Sequence, residues 1–328
     1  MILGAMSSNN CQHHSLARQV SSSTQQGALR KVERFFQQQE LTDEQCAKAL
    51  VDSLQFKEKF DLCLDRSNWQ FGTKKVNYLV LSWRISKEIC LPLLFVDLDK
   101  AGNSNTQERL DLLDRFDKLF GCSRIKRLFA DREFIGEQWI GYLASQNIPF
   151  YIRIRENTLL PFGQGLCYTK DFFQHLTDKT NRLLVKDLYG YTFYFAGTKS
   201  VTGELVIVMT NQAETAKKIL KCYSKRWSIE VMFRKLKTSG FNWENTHMKI
   251  RKRLVKLLVI LTLAFLYVCL FGTQEKIPWK KTLKCFVKSI FRKGLQVFQH
   301  LLAKGLDLAL ATLLNLLQAA PQLVPVEK

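Results

Sequence analysis

Residues 125–155 read IKRLFADREFIGEQWIGYLASQNIPFYIRIR, and three signals in that stretch set the fold class. Ile125 to Ala130 is a short apolar run that stops on Asp131, Ile135 to Gln146 has helical composition, and Pro149 to Arg155 is strand-like again. Upstream, Val76 to Ile85 and Ile89 to Val96 are rich in Val, Ile, Leu, Tyr and Trp, joined by a tight turn near Ser86 and Lys87. Pro92 argues for an edge or a bulge there. Before them Phe60, Leu62 and Leu64 alternate with polar or small residues and stop at Asp65, with Arg66, Ser67 and Asn68 as a turn. After them Gly102-Asn103-Ser104-Asn105 breaks the pattern and a helix follows over Thr106 to Phe120. Strand, strand, strand, helix, strand, helix, strand predicts an α/β fold, a mixed sheet with helices on its faces. Two of its strands end on an aspartate.

The flanks divide the chain further. Residues 1–58 read as a helical region, with Thr42-Asp43-Glu44-Gln45 in the form of a capping box opening a helix through Leu54. Between 157 and 214, Gly163, Gly165, Gly190, Gly197 and Gly203 punctuate short runs such as Tyr191 to Phe195 and Leu205 to Met209, which predicts a β-rich insertion. The segments 59–156 and 215–272 then form one core around it. Leu254 to Phe271 contains Lys256 and leaves about 15 uncharged residues, short of the roughly 20 a bilayer requires, so we expect a buried core helix and no membrane partner. In the tail, 273–328, Leu283, Phe286, Val287 and Ile290 form an apolar stripe and Lys280, Lys284, Lys288 and Arg292 a basic one.

The formal net charge of +20 points to a polyanionic partner, nucleic acid or an anionic membrane surface. Its distribution is uneven. Thr215 to Lys256 holds 13 Lys and Arg against Glu230 and Glu244, and the tail from Thr273 holds 9 against 3, leaving residues 1–214 nearly neutral. Charge gathered around one helical region suits contact with a phosphate backbone better than general solubility. The nine cysteines are scattered without a zinc-like spacing, which predicts reduced thiols in a cytosolic protein. The amino terminus lacks the pattern of a secretory signal, so no export is expected.

On a continuous helix at about 100° per residue, Tyr223, Arg226, Glu230 and Lys237 fall within roughly 60° of one another. One carboxylate then lies among cations. Taken alone, the segment also reads as an ordinary exposed charged face. Two-metal phosphoryl transfer, however, needs acidic side chains converging from separate elements. Asp65, Asp131 and Glu230, two strand-terminal aspartates and a helical glutamate, fit that need. Asp61, four residues before Asp65 and on the same strand face, competes for the first position. Asp97, Asp99 and Glu133 read as loop groups beside the site, and His247 as a surface or phosphate-contacting residue.

With these motifs the chain resembles the bacterial insertion-sequence transposases of the insertion-sequence-four group. The resemblance rests on Leu64-Asp65-Arg66-Ser67-Asn68-Trp69, on Asp99-Lys100 with Gly102-Asn103-Ser104-Asn105, on Ala130-Asp131-Arg132-Glu133-Phe134-Ile135-Gly136, and on the Tyr-x2-Arg-x3-Glu-x6-Lys spacing of Tyr223, Arg226, Glu230 and Lys237. It implies a ribonuclease-H-like catalytic core interrupted by a β-rich insertion, with Asp65, Asp131 and Glu230 as catalytic metal ligands for two Mg²⁺ ions, Mn²⁺ substituting. Water would attack a phosphodiester at the element's end, and the freed 3′-hydroxyl would later attack target DNA. Tyr223, Arg226 and Lys237 would hold phosphates, with Trp227 and Arg234 as further DNA contacts; Trp227 reads as a ring stacking on a flipped base or equally as a core tryptophan. The implied partners are double-stranded DNA with terminal inverted repeats, target DNA and a second copy of the chain, in the cytoplasm at the bacterial nucleoid.

The family pattern has a longer amino-terminal region than the 58 residues found before the first strand here, which suggests a shortened or decayed copy. The alternative reading is a catalytically inactive or regulatory DNA-binding protein derived from a transposase. A third, a membrane protein, rests on Leu254 to Phe271 and the basic tail.

Overall fold

A computed structural model describes residues 1–177, 180–200, 202–274, 279–280, 285–286 and 288–319. Four helices lead, α1 (Ile2–Ser8), α2 (His13–Ala17), α3 (Gln25–Gln38) and α4 (Asp43–Ser53). The strands β1 (Phe60–Phe71), β2 (Lys74–Arg84) and β3 (Cys90–Asp97) follow, then α5 (Thr106–Phe120), β4 (Ile125–Ala130), α6 (Glu137–Ser145) and β5 (Phe150–Ile154). Next come β6 (Leu159–Phe162), β7 (Gly165–Tyr168), α7 (Thr169–Phe172), β8 (Asn181–Leu188), β9 (Tyr191–Lys199) and β10 (Leu205–Thr210). The chain continues with α8 (Ala216–Tyr223), α9 (Trp227–Leu236), α10 (Arg251–Thr273), α11 (Ile290–Lys304) and α12 (Leu306–Ala319).

Eight strands form one mixed sheet in the order β3-β2-β1-β4-β5-β10-β9-β8. The β1–β4 and β4–β5 pairs are parallel and the others antiparallel. Alternation along β1 sends its residues to two different layers. Phe60 packs edge-on against Phe116 of α5, whereas Cys63 lies 3.8 Å from Ser228 of α9. Helices therefore cover both faces of the mixed sheet, an arrangement consistent with a ribonuclease-H-like core. The edge strand β3 carries Pro92, next to a register shift in its pairing with β2. Its exposed ladder is closed off in part by the buried Asp43, whose carboxylate accepts from the Phe95 amide at 2.8 Å.

Capping boxes start two helices. Thr42 and Gln45 cap α4, and Asn105 and Glu108 cap α5, each pair exchanging side-chain and backbone hydrogen bonds. Helix α10 is long and apolar enough to cross a membrane, and most of it is buried in this fold. Two glycines let α11 lie on it. A Cβ on Gly294 would stand 1.7 Å from the Val268 carbonyl oxygen, and one on Gly272 2.1 Å from that of Ile290. Of the two tail stripes, Leu283, Lys284 and Val287 lie outside the described residues, and Lys280 and Phe286 are described in their backbone alone.

One expectation is corrected. β1 does not stop at Asp65, because Arg66 through Phe71 stay paired with β2 and the hairpin turns at Gly72, where φ is +58°. The polar residues that suggested a turn are strand residues beyond the end of β4, where side chains meet loops rather than a neighbouring strand. The segment 157–214 holds five strands divided between two sheets. Strands β6 and β7 pair on their own, while β8, β9 and β10 extend the main sheet through the β10–β5 pair.

Candidate active site

The parallel β1–β4 ladder ends with Leu64 opposite Ala130. Asp65 and Asp131 are the next residues on each chain, so the sheet delivers them side by side, with strand spacing of about 4.8 Å. Asp65 shares its strand face with Cys63, which points at α9. That helix brings the third carboxylate, Glu230.

The cation between them is Arg226. It is 9% exposed, donates from Nη1 to Asp65 Oδ2 at 3.1 Å, and donates from Nη2 to Glu230 Oε1. Burial pushes the Asp65 carboxyl up to about 6, against the pull of Arg226 and of the Arg66 amide, with Asp131 and Glu133 adding to the rise. Burial also opposes the charge on Arg226, but Tyr223, Asp65, Asp131 and Glu230 outweigh it and hold the guanidinium protonated. The Tyr223 ring lies under that guanidinium at 5.9 Å, and burial raises its phenol. Two buried oxygens here, Asp131 Oδ1 and Tyr223 Oη, have no hydrogen-bond partner among the described residues.

The surroundings hold this geometry. Arg66 grips Glu133 with two bonds of 2.6 and 2.8 Å and also donates to Asn77 Oδ1, the Gly102 carbonyl and Asn103 Oδ1. It thereby ties the β1 extension to the loops at 102–103 and 131–136. Arg109 holds the same loops from below, through Ser104 and the carbonyls of Glu133 and Ile135. Neither role is assigned by the sequence reading, although Arg66 and Glu133 stand inside the quoted motifs.

Asp61, the rival for the first position, is engaged otherwise. It accepts from Arg127 at 2.6 and 2.7 Å and lies 3.5 Å from Arg84 and 4.0 Å from Lys225. Asp97 and Asp99 pair with Arg251. His247 hydrogen-bonds Asn245 and packs against Phe71.

The single helical face drawn through Tyr223 and Lys237 does not persist. A tight 3-10 turn, Ser224–Arg226, separates α8 from α9, and α9 ends at Leu236. Tyr223 and Arg226 stay with the carboxylates, but Lys237 turns to the Asn68 carbonyl at 3.0 Å and Glu244 at 2.8 Å, over the Trp69 ring. Trp227 is 60% exposed and shares a cleft of about 680 Å³ with Arg234, Lys225, Lys235, Arg84 and Lys87.

The donor set suits a hard divalent cation. Asp65 and Asp131 offer carboxylate oxygens, one of them buried without a partner, and such ions are bound by oxygen ligands. Among the described residues, however, no three acidic, His or Cys side chains stand close enough to hold a metal together. The reason is Arg226, whose guanidinium occupies the space between Asp65 and Glu230.

Comparison with known proteins gives two matches of different kinds. The family described as "Transposase DDE domain" matches residues 90–267, which span β3 to α10 and include Asp131 and Glu230. No curated protein matches the chain. Among solved structures it is similar to a piggyBac transposase synaptic complex with hairpin DNA, at 10% identity and a TM-score of 0.49, covering 100% of this chain and 75% of that one.

Proposed function

This chain belongs to the transposase DDE domain family, and from that membership we propose that it cuts DNA phosphodiesters at the ends of an insertion sequence and joins the freed ends to target DNA. The observation that carries the proposal is the convergence of Asp65, Asp131 and Glu230 on one buried arginine. A partly buried anionic cluster, two of whose members share one guanidinium, is poised to trade that cation for others. Asp65 and Asp131 would hold the divalent ions, Mg²⁺ or Mn²⁺, and Glu230 would join them with Arg226 drawn to a DNA phosphate. The ions, when bound, supply an activated water and charge stabilisation at the leaving oxygen.

The protein's own residues do the rest. Arg226 leaves two carboxylates for one phosphate, a bidentate exchange that suits a guanidinium. Tyr223 is held beneath it with its hydroxyl free to donate. Trp227 and Arg234 meet the DNA from the neighbouring cleft, the indole by stacking. Lys237 contributes a phosphate contact on the side of the β1–β2 hairpin, by releasing Glu244. The working partners are a second copy of the chain and DNA bearing terminal inverted repeats, at the bacterial nucleoid in the cytoplasm. The domain limits 1–58, 59–156 with 215–272, 157–214 and 273–328 belong to the same proposal.

The test is cleavage of DNA from the gene's own flanks by purified protein with Mg²⁺ or Mn²⁺. Asp65→Asn should abolish cutting and leave salt-sensitive binding in place. Binding without any cutting by the unaltered chain would favour the regulatory alternative.

A further inference from the structure

A second basic cleft opens beside the loop that carries Asp131. Its volume is about 440 Å³, and Arg132, Arg153, Arg155 and Lys170 line it together with Asn157 and a single acid, Glu156. The cleft begins one residue from Asp131, because Arg132 follows it directly in the chain. Arg153, on β5, lies near enough to Tyr223 for its charge to stabilise the phenolate form, so the cleft and the candidate site share one field. Arg153 pairs with Glu204 through Nη2, while its Nε is buried without a hydrogen-bond partner. Arg132, Arg155 and Lys170 are exposed, and no carboxylate pairs with them among the described residues.

A generic basic surface scatters its cations and leaves each to water. Here Arg132, Arg155 and Lys170 line one concave space with the Glu204-paired Arg153, held by different elements: the loop after β4, the end of β5, and α7. The Lys170 amide bonds to the Glu156 carbonyl and the Thr169 amide to the Thr158 carbonyl, which fixes α7 against the end of β5. The cleft is therefore built rather than incidental. Its chemistry fits phosphate oxygens, which accept from guanidinium and ammonium groups.

We propose that this cleft binds consecutive phosphates of a DNA strand as it leaves the Asp131 side of the site, a track separate from the one Trp227 and Arg234 provide across α9. The identity of the ligand rests on the transposase reading. Each cation that neutralises a phosphate releases counterions, so its removal flattens the salt dependence of binding.

The experiment compares the full chain, Arg155→Gln/Lys170→Gln and a charge-matched control, Lys48→Gln/Lys59→Gln, whose exposed lysines lie on α4 and before the amino end of β1. A labelled random-sequence duplex is titrated at several salt concentrations without metal, and cleavage of flanking DNA is measured in parallel. The cleft variant should lower the slope of log K against log salt by about 2, one for each cation removed, and the control should leave it unchanged. An equal effect in the control, or no effect in the cleft variant, overturns the proposal, as does an unaltered chain that fails to bind DNA. A lowered slope in a chain that never cuts would keep the cleft and overturn the transposase reading. Cutting by a chain whose slope ignores both substitutions would do the reverse.

Discussion

Asp65 and Asp131 each follow the last registered pair of the parallel β1–β4 ladder, Leu64 opposite Ala130, so two strands from distant parts of the chain present their carboxylates next to each other. Adjacent carboxylates in a buried setting resist joint ionisation unless cations compensate them. In this fold the compensation comes from Arg226, and several consequences can be measured.

The first concerns protons. Burial raises the Asp65 carboxyl to about 6, above its usual value near 3.9 in an unfolded chain. The native state therefore binds more protons than the unfolded state between those two values, and stability falls as pH rises through that window. In the metal-free protein, thermal stability should drop between about pH 4 and pH 6, by an amount on the order of 2 kcal/mol. Asp65→Asn should flatten that dependence, which melting curves across the window would reveal.

The second concerns Arg226. If its guanidinium stands in for a metal ion between Asp65 and Glu230, Arg226→Gln should lower the melting temperature at neutral pH and make Mn²⁺ more stabilising than it is for the unaltered chain. Equal Mn²⁺ shifts in both proteins would contradict that role.

Asp61 and Asp65 share a strand face but differ in consequence. Asp61 is buried among Arg127 and Arg84, so Asp61→Ala strands buried cations and should destabilise the fold by about 3–5 kcal/mol. Denaturant unfolding separates this from Asp65→Asn, whose main loss should be in cleavage.

Gly294→Ala places a methyl group against the Val268 carbonyl oxygen, where α11 crosses α10. Overpacking of this kind costs about 1–3 kcal/mol, and the melting temperature should fall accordingly with DNA cleavage chemistry intact below the transition.

Much of this arrangement could be read from the chain before any coordinates. The helix over Thr106–Phe120 and the strand over Ile125–Ala130 have matching limits in the structure, because the Gly-Asn-Ser-Asn break before the helix and the Leu128-Phe129-Ala130 run that stops on Asp131 are local signals. The β1 extension was hidden for the opposite reason. Arg66, Ser67 and Asn68 are polar since Arg66 serves loops brought close only by the fold. The displacement of Lys237 follows from one tight turn at Ser224–Arg226, which no periodicity announces. Asp65, Asp131 and Glu230 could be nominated from motifs, but the arginine bridge between them and the cleft at Arg155 and Lys170 depend on distances that spacing does not encode.

The most direct measurement is strand cleavage of the gene's flanking DNA by four proteins with Mn²⁺: the unaltered chain, Asp65→Asn, Asp131→Asn and Glu230→Gln. The unaltered chain should cut, and each substitution should reduce cutting at least about a thousandfold, a loss of about 4 kcal/mol of transition-state stabilisation, while DNA binding persists. Cutting by any of the three variants at the rate of the unaltered chain would contradict the assignment of that carboxylate.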